Sequence, residues 1–279
     1  MKTKKIIFLF LLSISFSMVF SQKYDNKTVS LKGKRILLFT KNGKGYIHDN
    51  ISVSVKAFFK LSLEQGFQLD TSSNASVFTN ENLKKYHALV FSNTNNEVFD
   101  TEAQKVAVMR YIQAGGGFVG IHIACGTERN WVWFKQMLGG TFLFHPVFQE
   151  FNVRVLDKEH PSCKNIPDPW VVKDELYFLK EMNPTIRVLM VSDFSKMTDK
   201  RPMPETFGKV FPCVWCNTYD GGRQWYTALG HDKRNYENPL YMRHILGGLQ
   251  WVTAQKVDYT KAYATKSEIT DTSFKKINK

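Results

Sequence analysis

Residues 115–146 read GGGFVGIHIACGTERNWVWFKQMLGGTFLFHP, and this stretch decides the fold. Three glycines break the chain before a short apolar run, Phe118-Val119-Gly120-Ile121, of the length and character of a fully buried strand. The run ends on His122. After a turn, Trp131, Val132, Phe134, Met137 and Leu138 recur at helical spacing until Gly139-Gly140, where a helix end needs left-handed backbone angles. Strand, sharp turn and helix together lift one side chain above the carboxyl end of a parallel sheet. Here that side chain is an imidazole.

Upstream, residues 35–40 form an apolar first strand followed by a glycine-bearing loop, 41–49, that contains His48. The loop lacks the spacing and the Lys-Ser/Thr ending of a phosphate-cradling loop, so no nucleotide cofactor is expected. Asp49 or Asn50 is placed to cap a helix in which Val53, Ala57, Phe58, Leu61 and Leu63 recur near the helical period, stopped by Gly66. A second strand is expected over 67–70, a brief helix over 83–86 and a third strand over 88–92. Thr101-Glu102-Ala103-Gln104 has the capping-box form, and Val106, Met109 and Ile112 then share a helix face. Alternating strands and helices, with the strands apolar on both faces, specify a parallel sheet covered on each side. Ligands in such sheets bind beyond the strand carboxyl ends, where His48 and His122 fall.

The second half is less regular. Residues 148–156 alternate as a strand, and 160–170 read as a loop. The run 171–177 then brings Asp174 and Glu175 into an apolar setting; neighbours in a strand point to opposite faces, so at most one of the two faces a given site. Further strands are expected over 187–192 and 211–215, separated by a Pro- and Lys-rich excursion, 195–209, that reads as a flap. Asp220-Gly221-Gly222 makes a tight turn into 223–231, a strand that again ends in Gly-His, at His231. Asn238-Pro239 opens a last helix to about Trp251.

The chain ends carry their own signals. Residues 1–21 have three lysines, an apolar run and small residues before a cleavage point, as a secretion signal does. Export to the periplasm or the extracellular space is expected, with no stable membrane span once the signal is removed. Residues 22–33 are a polar leader, 34–254 one large domain and 255–279 a solvated tail. Loss of the signal leaves 35 basic against 25 acidic side chains, a net charge of +10. No aromatic-interleaved basic run accompanies that charge, which argues against nucleic acid as a partner. The assembly state stays open, a homo-oligomer included.

Four cysteines, 125, 163, 213 and 216, are few for an exported chain of 279 residues. Cys213 and Cys216 have redox spacing but sit in an expected strand rather than at a helix N-terminus, so they read as buried structural thiols.

Taken in order, Gly115–His122, Trp131-Val132-Trp133-Phe134, Leu138–Phe142, His145-Pro146, His160-Pro161, Asp174-Glu175-Leu176-Tyr177 and Asp220–His231 resemble the motifs of the trehalose-utilisation (ThuA-like) family over residues 34–253. The resemblance implies a flavodoxin-like, class I glutamine amidotransferase-like three-layer α/β sandwich with a mostly parallel central sheet. It further implies carbohydrate metabolism, with disaccharides or their 3-keto derivatives as substrates. In that fold a nucleophilic cysteine occupies a Gly-x-Cys-x-Gly elbow. Here the frame is Gly120-Ile121-His122-Ile123-Ala124, so thioester chemistry is absent at that position, and Cys125 comes too late in the turn to replace it. Family members often carry Asp-Thr after this turn, where this chain has Gly126-Thr127.

Neutral imidazoles are ready ligands for zinc or a similar divalent ion, and His48, His122, His145 and His231, with Glu175 or Asp174, offer three ligands and an open position. His122, Glu175 and Asp174 are the candidate catalytic groups for isomerisation, epimerisation or β-elimination at a keto-sugar. Trp131, Tyr177 and Tyr226 offer stacking faces to a sugar, and Arg223 a donor either to its hydroxyls or to an acid of the fold. Two other classes compete: a carbohydrate-binding domain whose histidines are only a hydrogen-bonded cluster, and a glycoside hydrolase, which needs a second, separated carboxylate.

Overall fold

The run before His122 is an interior strand with a parallel neighbour on each side. This geometry comes from a computed structural model, which describes residues 25–265 apart from 198 and 200; the expected signal and residues 266–279 of the tail lie outside the described residues. In chain order the elements are β1 (Arg35–Phe39), α1 (Ile51–Gln65), β2 (Gln68–Ser72), α2 (Asn80–Leu83), β3 (Ala88–Ser92), α3 (Glu102–Gln113), β4 (Gly117–Ile121) and α4 (Val132–Leu138). There follow β5 (Thr141–Phe144), β6 (Gln149–Val155), β7 (Trp170–Asp174), β8 (Phe178–Lys180), β9 (Arg187–Asp193), β10 (Val210–Tyr219), β11 (Gly222–Thr227) and α5 (Pro239–Val252).

Nine strands make one sheet in the order β2-β1-β3-β4-β11-β10-β9-β6-β7. The first five are mutually parallel, and the remaining pairings are antiparallel. Only β10 and β6 run against the rest, so the sheet is mostly parallel in direction, as the resemblance implied. One consequence matters for function: β1, β4, β11 and β7 all present their carboxyl ends at the same edge. Strands β5 and β8 pair separately as a small antiparallel ribbon.

Alternation along the central strands builds the layers. Gly120 and Tyr226 face α4, where Leu138 lies against them, while Trp225 on the other face meets Gly248 of α5. Trp215, Trp225, Phe118 and Phe134 are fully buried. Burial of each such ring contributes about 2–3 kcal/mol before the entropy of ordering is counted.

Local signals act much as their chemistry dictates. Thr101 and Gln104 form a reciprocal capping box, Asn238 caps α5 ahead of Pro239, and Gly66 and Gly139 end α1 and α4 in left-handed conformations. Asp220 and Gly221 both have positive φ, the requirement of the turn that joins β10 to β11. Two expectations shift. Thr79 caps α2, which moves the brief helix to Asn80–Leu83, and the second strand lies at Gln68–Ser72. The helix start at α1 differs more: the Asn50 side chain makes no cap. It donates instead to the carbonyls of Gly230 and His231, at 2.6 and 3.0 Å.

Candidate functional site

His122 opens a short 3-10 turn (His122–Gly126) directly after β4 and has φ +55. A non-glycine residue in the left-handed region costs on the order of 1–3 kcal/mol and persists only where its surroundings hold it. Two hydrogen bonds do so. The Tyr226 hydroxyl donates to the His122 carbonyl at 2.7 Å, and the His122 ring sits with Nδ1 3.0 Å from the Ala228 carbonyl. A carbonyl only accepts, so Nδ1 carries the proton and the Nε2 lone pair faces outward from the elbow. Gly120 is required behind it, because a Cβ there would lie 2.7 Å from Leu138 and 3.0 Å from Tyr226.

Three further groups reach the same point from different strands. His48 comes from the loop after β1, His231 from the turn after β11, and Glu175 from the residue after β7. One ligand atom from each of His48, His122, Glu175 and His231 lies within 4.8 Å of all the others. Glu175 Oε2 is 3.2 Å from His231 Nδ1 and 3.6 Å from His122 Nε2, and those two nitrogens are 3.3 Å apart. The Tyr177 hydroxyl lies 2.7 Å from His122 Nε2. His145, at the end of β5, stands on the other side of the carboxylate, with Nε2 3.5 Å from Glu175 Oε1 and Nδ1 2.7 Å from the Pro146 carbonyl.

The sequence leaves open which acid faces this cluster, and the geometry separates the two. Glu175 points into it. Asp174 points away and accepts four N–H groups: Gly230 at 2.8 Å, His231 at 3.0 Å, Glu175 at 2.8 Å and the Asn235 side chain at 2.7 Å. Its role is to hold the Gly230-His231 backbone, not to touch a substrate.

Electrostatics hold two of the imidazoles, His48 and His122, in the neutral form that ligates a metal. Burial, reinforced by the neighbouring His231, pulls His48 down to about 4, and burial takes His122 well below the ordinary histidine value. Burial works the same way on His231, but the hydrogen bond and charge of Glu175 outweigh it and raise that ring. Burial pushes Glu175 up, yet the His231 bond and the surrounding histidines bring it below the usual carboxylate range. Tyr177 is held far above the usual phenol value by burial and by the Glu175 charge, so it remains a proton donor.

These residues fit a divalent ion on an observation of their own: His48 Nδ1 is buried with no hydrogen-bond partner. His122 also has the outer-shell carbonyl that fixes a metal-binding tautomer. The His/Glu cluster could hold a metal through His48, His122, His231 and Glu175.

Not every expected contact residue is here. Tyr177 lines the cluster, and Tyr226 supports the His122 backbone from beneath. Trp131, only 6% exposed, packs against Phe99, Trp133 and Phe134 with Lys105 over its ring, and none of these neighbours belongs to the cluster. Helical spacing marks core, which corrects the expectation of a sugar-stacking face there. Arg223 is corrected as well: it stands at the start of β11, the opposite edge from the site, and binds Asp25 and the Trp251 carbonyl. Two exposed rings escaped the sequence reading. Tyr46 meets His48 edge-on with centroids 4.8 Å apart, and Phe148 lies 5.7 Å from His231. Their signal was present as aromatics in otherwise polar or proline-bearing loops. Within the 195–209 excursion, Arg201 donates to the His145 carbonyl at 2.6 Å and Asp199 accepts the Val147 amide at 3.3 Å, which puts these two residues beside the site.

A three-layer α/β sandwich whose strained strand-to-turn elbow delivers one side chain to the carboxyl edge is a flavodoxin-like, glutamine amidotransferase-like protein, here with imidazole in place of thiol. Cys125 does not restore the nucleophile, since it is buried and its thiol is pushed up to about 12. The chain belongs to the trehalose utilisation (ThuA) family, whose model matches residues 35–252. A ThuA-like protein from Bacteroides uniformis superposes with a TM-score of 0.68 at 25% identity, covering 85% of this chain and 98% of the other. One from Parabacteroides merdae gives 0.65 at 22% identity, over 85% and 99% of the two chains. A β-galactosidase from Bacillus circulans shares the fold alone, with a TM-score of 0.53, 12% identity and coverage of 81% of this chain and 32% of the enzyme. No curated protein matches. The family description connects the chain to carbohydrate utilisation. Among the described residues no helix is long and apolar enough to cross a membrane.

Proposed function

We propose that this is an exported carbohydrate-active enzyme that moves a proton at the carbon beside a sugar carbonyl, acting as an isomerase, epimerase or lyase on a keto-sugar such as a 3-keto-glycoside. The observation that carries the reading is the single Glu175 carboxylate shared by His122, His231 and His145 at the carboxyl edge of the sheet. Export rests on the lysines and apolar run of residues 1–21.

A divalent ion held by His48, His122, His231 and Glu175 would supply Lewis-acid polarisation of the sugar carbonyl. The remaining work falls to the chain itself. His145 has its Nδ1 engaged by the Pro146 carbonyl, which leaves Nε2 to take a proton from the substrate carbon. Once protonated, Nε2 faces the Glu175 carboxylate, which stabilises the imidazolium. As the electron pair moves onto the carbonyl oxygen, the Tyr177 phenol, which donates to His122 Nε2 until an ion takes that lone pair, would be the neutral donor to it. Return of the carbon proton to the former carbonyl carbon, with the neighbouring hydroxyl giving its proton back to Tyr177, isomerises the sugar. Return to the other face of the original carbon, with the enol proton going back to Tyr177, epimerises it. Delivery to a departing glycosidic oxygen, the enol proton again returning to Tyr177, completes β-elimination. Paired-carboxylate hydrolysis finds less support, because Asp174 spends both oxygens on N–H donors and leaves Glu175 as the cluster's one acid.

Metal analysis combined with a product assay on 3-keto-glycosides and their unoxidised parents tests the reading. Wild-type protein is expected to bind zinc stoichiometrically and to convert only the keto-sugars, with both properties lost in His122→Ala and His231→Ala. His145→Ala should keep the zinc and lose turnover. Tight sugar binding with neither zinc nor conversion would make the protein a carbohydrate-binding domain instead.

A further inference from the structure

Arg129 stands half-buried on the loop that follows the His122 turn. That loop is fixed: its neighbour Glu128 is buried with φ +50, accepts the amides of Val98 and Phe99 at 2.9 and 3.1 Å and pairs with Lys105 at 2.6 Å. Arg129 donates from Nε to the Gly126 carbonyl at 3.0 Å and from Nη2 to Asn95 Oδ1 at 3.1 Å. Both acceptors are neutral, and Nη1 makes no hydrogen bond among the described residues. Nearby lysines are each matched to an acid, Lys41 to Asp100, Lys105 to Glu128 and Lys233 to Asp49. Among the described residues no acid pairs with Arg129.

The bare backbone at Gly126 makes room for this arrangement. A Cβ there would lie 2.9 Å from Arg129 Nη2 and 2.6 Å from Asn95 Oδ1, so the aspartate that family members often carry would displace the guanidinium. Glycine in place of that acid leaves the cation without a counter-charge. The guanidinium carbon lies 5.6 Å from the centre of the Phe142 ring, whose other neighbours include Tyr177 at 4.7 Å and His145 at 6.1 Å between centroids. The charge therefore stands one ring away from the proton-moving groups, about the span of a pyranose with its exocyclic carbon.

Resting on the proposed chemistry, we infer that Arg129 binds a carboxylate carried by the substrate, so that the keto-sugar is a uronate rather than a neutral glycoside. A half-buried guanidinium without a counter-ion gains most from a planar anion that takes parallel N–H groups. A carboxylate matches that fork and its single charge. A phosphate dianion leaves charge over, and the three lysines named are already paired. Because the loop is set before the substrate arrives, little ordering is lost on binding. The bound anion then fixes which carbon of the ring meets His145 Nε2.

The test uses the mature chain with zinc and three probes: methyl 3-keto-α-glucoside, the matching 3-keto-glucuronide and the 3-keto-glucoside 6-phosphate. Wild-type kcat/KM is expected to favour the uronide over the neutral glycoside by about tenfold to a hundredfold, the worth of one charge-assisted contact, and to favour it over the phosphate. Arg129→Gln should bring the first ratio to about one through the KM of the uronide, with zinc stoichiometry retained, and Arg129→Lys should keep part of it. No wild-type preference, or one that Arg129→Gln leaves intact, overturns the inference, and a larger gain for the phosphate overturns the carboxylate. If Arg129→Gln does not fold, Arg129→Lys decides: a reduced preference supports the inference and an undiminished one overturns it. If wild-type protein converts none of the probes, the proposed chemistry fails by itself, and saturation-transfer NMR with methyl α-glucuronide and methyl α-glucoside decides the site. A signal for the uronide alone, lost in Arg129→Gln, supports it; no binding, equal binding or binding that the variant keeps overturns it.

Discussion

Asp174 Oδ1 accepts the amide of His231 at 3.0 Å, so the acid adjacent to Glu175 grips a histidine's backbone while Glu175 faces its ring. Asn50 completes the grip from the carbonyl side, donating to Gly230 and His231. In Asp174→Asn, whichever way the amide turns, its NH2 meets two N–H groups and leaves them unpartnered. The expected loss is about 2–4 kcal/mol of stability. Urea unfolding should show it, and zinc affinity should fall with it as His231 loses its position. Wild-type stability in this variant would remove Asp174 from the positioning role.

Gly230 sets up the same turn. It has φ +127, and a Cβ there would lie 2.5 Å from the Tyr241 hydroxyl. Gly230→Ala thus meets both strain and a clash, for an expected cost of about 2–4 kcal/mol. Gly33, with φ +75 and no atom within 4 Å of an added Cβ, isolates the strain. Gly33→Ala should cost only about 1–2 kcal/mol. Thermal melts of the two variants side by side check the difference, and equal shifts would mean that the Tyr241 contact does not matter.

How far the sequence reached depends on what kind of signal each residue gave. His122 was legible because a short apolar strand followed by a turn and a glycine-closed helix fixes where its side chain emerges. His48 and His231 followed from the same rule that strands end at the binding edge. Arg223 broke that rule from the outset, since it begins its strand, and Trp131 carried the helical spacing of core. The choice between Asp174 and Glu175 needed the β11 turn, which folds back from more than fifty residues away to take up Asp174. Strands β6, β7, β9 and β10 were legible as strands, but their order was not, because only the β10–β11 connection is a tight turn with its own residue signature.

The four cysteines bear on what the elbow no longer does. All are buried and free, and burial pushes each thiol up to about 12. Thiolate, the reactive form, is then negligible at neutral pH. Ellman's reagent should find no titratable thiol in native protein and four after guanidinium. Cys125→Ser should keep wild-type turnover of keto-sugars. A native thiol that reacts stoichiometrically would reopen cysteine chemistry at the elbow.

Acid should weaken the fold through a histidine that is not one of the cluster's ligands. His244 is fully buried on α5, with Nδ1 2.8 Å from the Ser162 carbonyl and Nε2 3.2 Å from the Thr227 hydroxyl. The carbonyl fixes the proton on Nδ1, the hydroxyl can donate to Nε2, and burial lowers the ring to about 4 from its ordinary 6.5. Between those values the unfolded chain binds a proton that the native ring refuses. Stability from this residue is therefore complete above about pH 6.5 and declines as pH falls toward about 4. From about pH 7.5 to about pH 5 the decline amounts to about 2 kcal/mol. His160, also buried and lowered chiefly by burial, adds to it with the same sign. His244→Gln removes the titration, so in urea unfolding with chelator present its stability should fall less steeply over that range. The gap between variant and wild type then narrows with acid, and parallel curves would show that His244 binds its proton equally in both states.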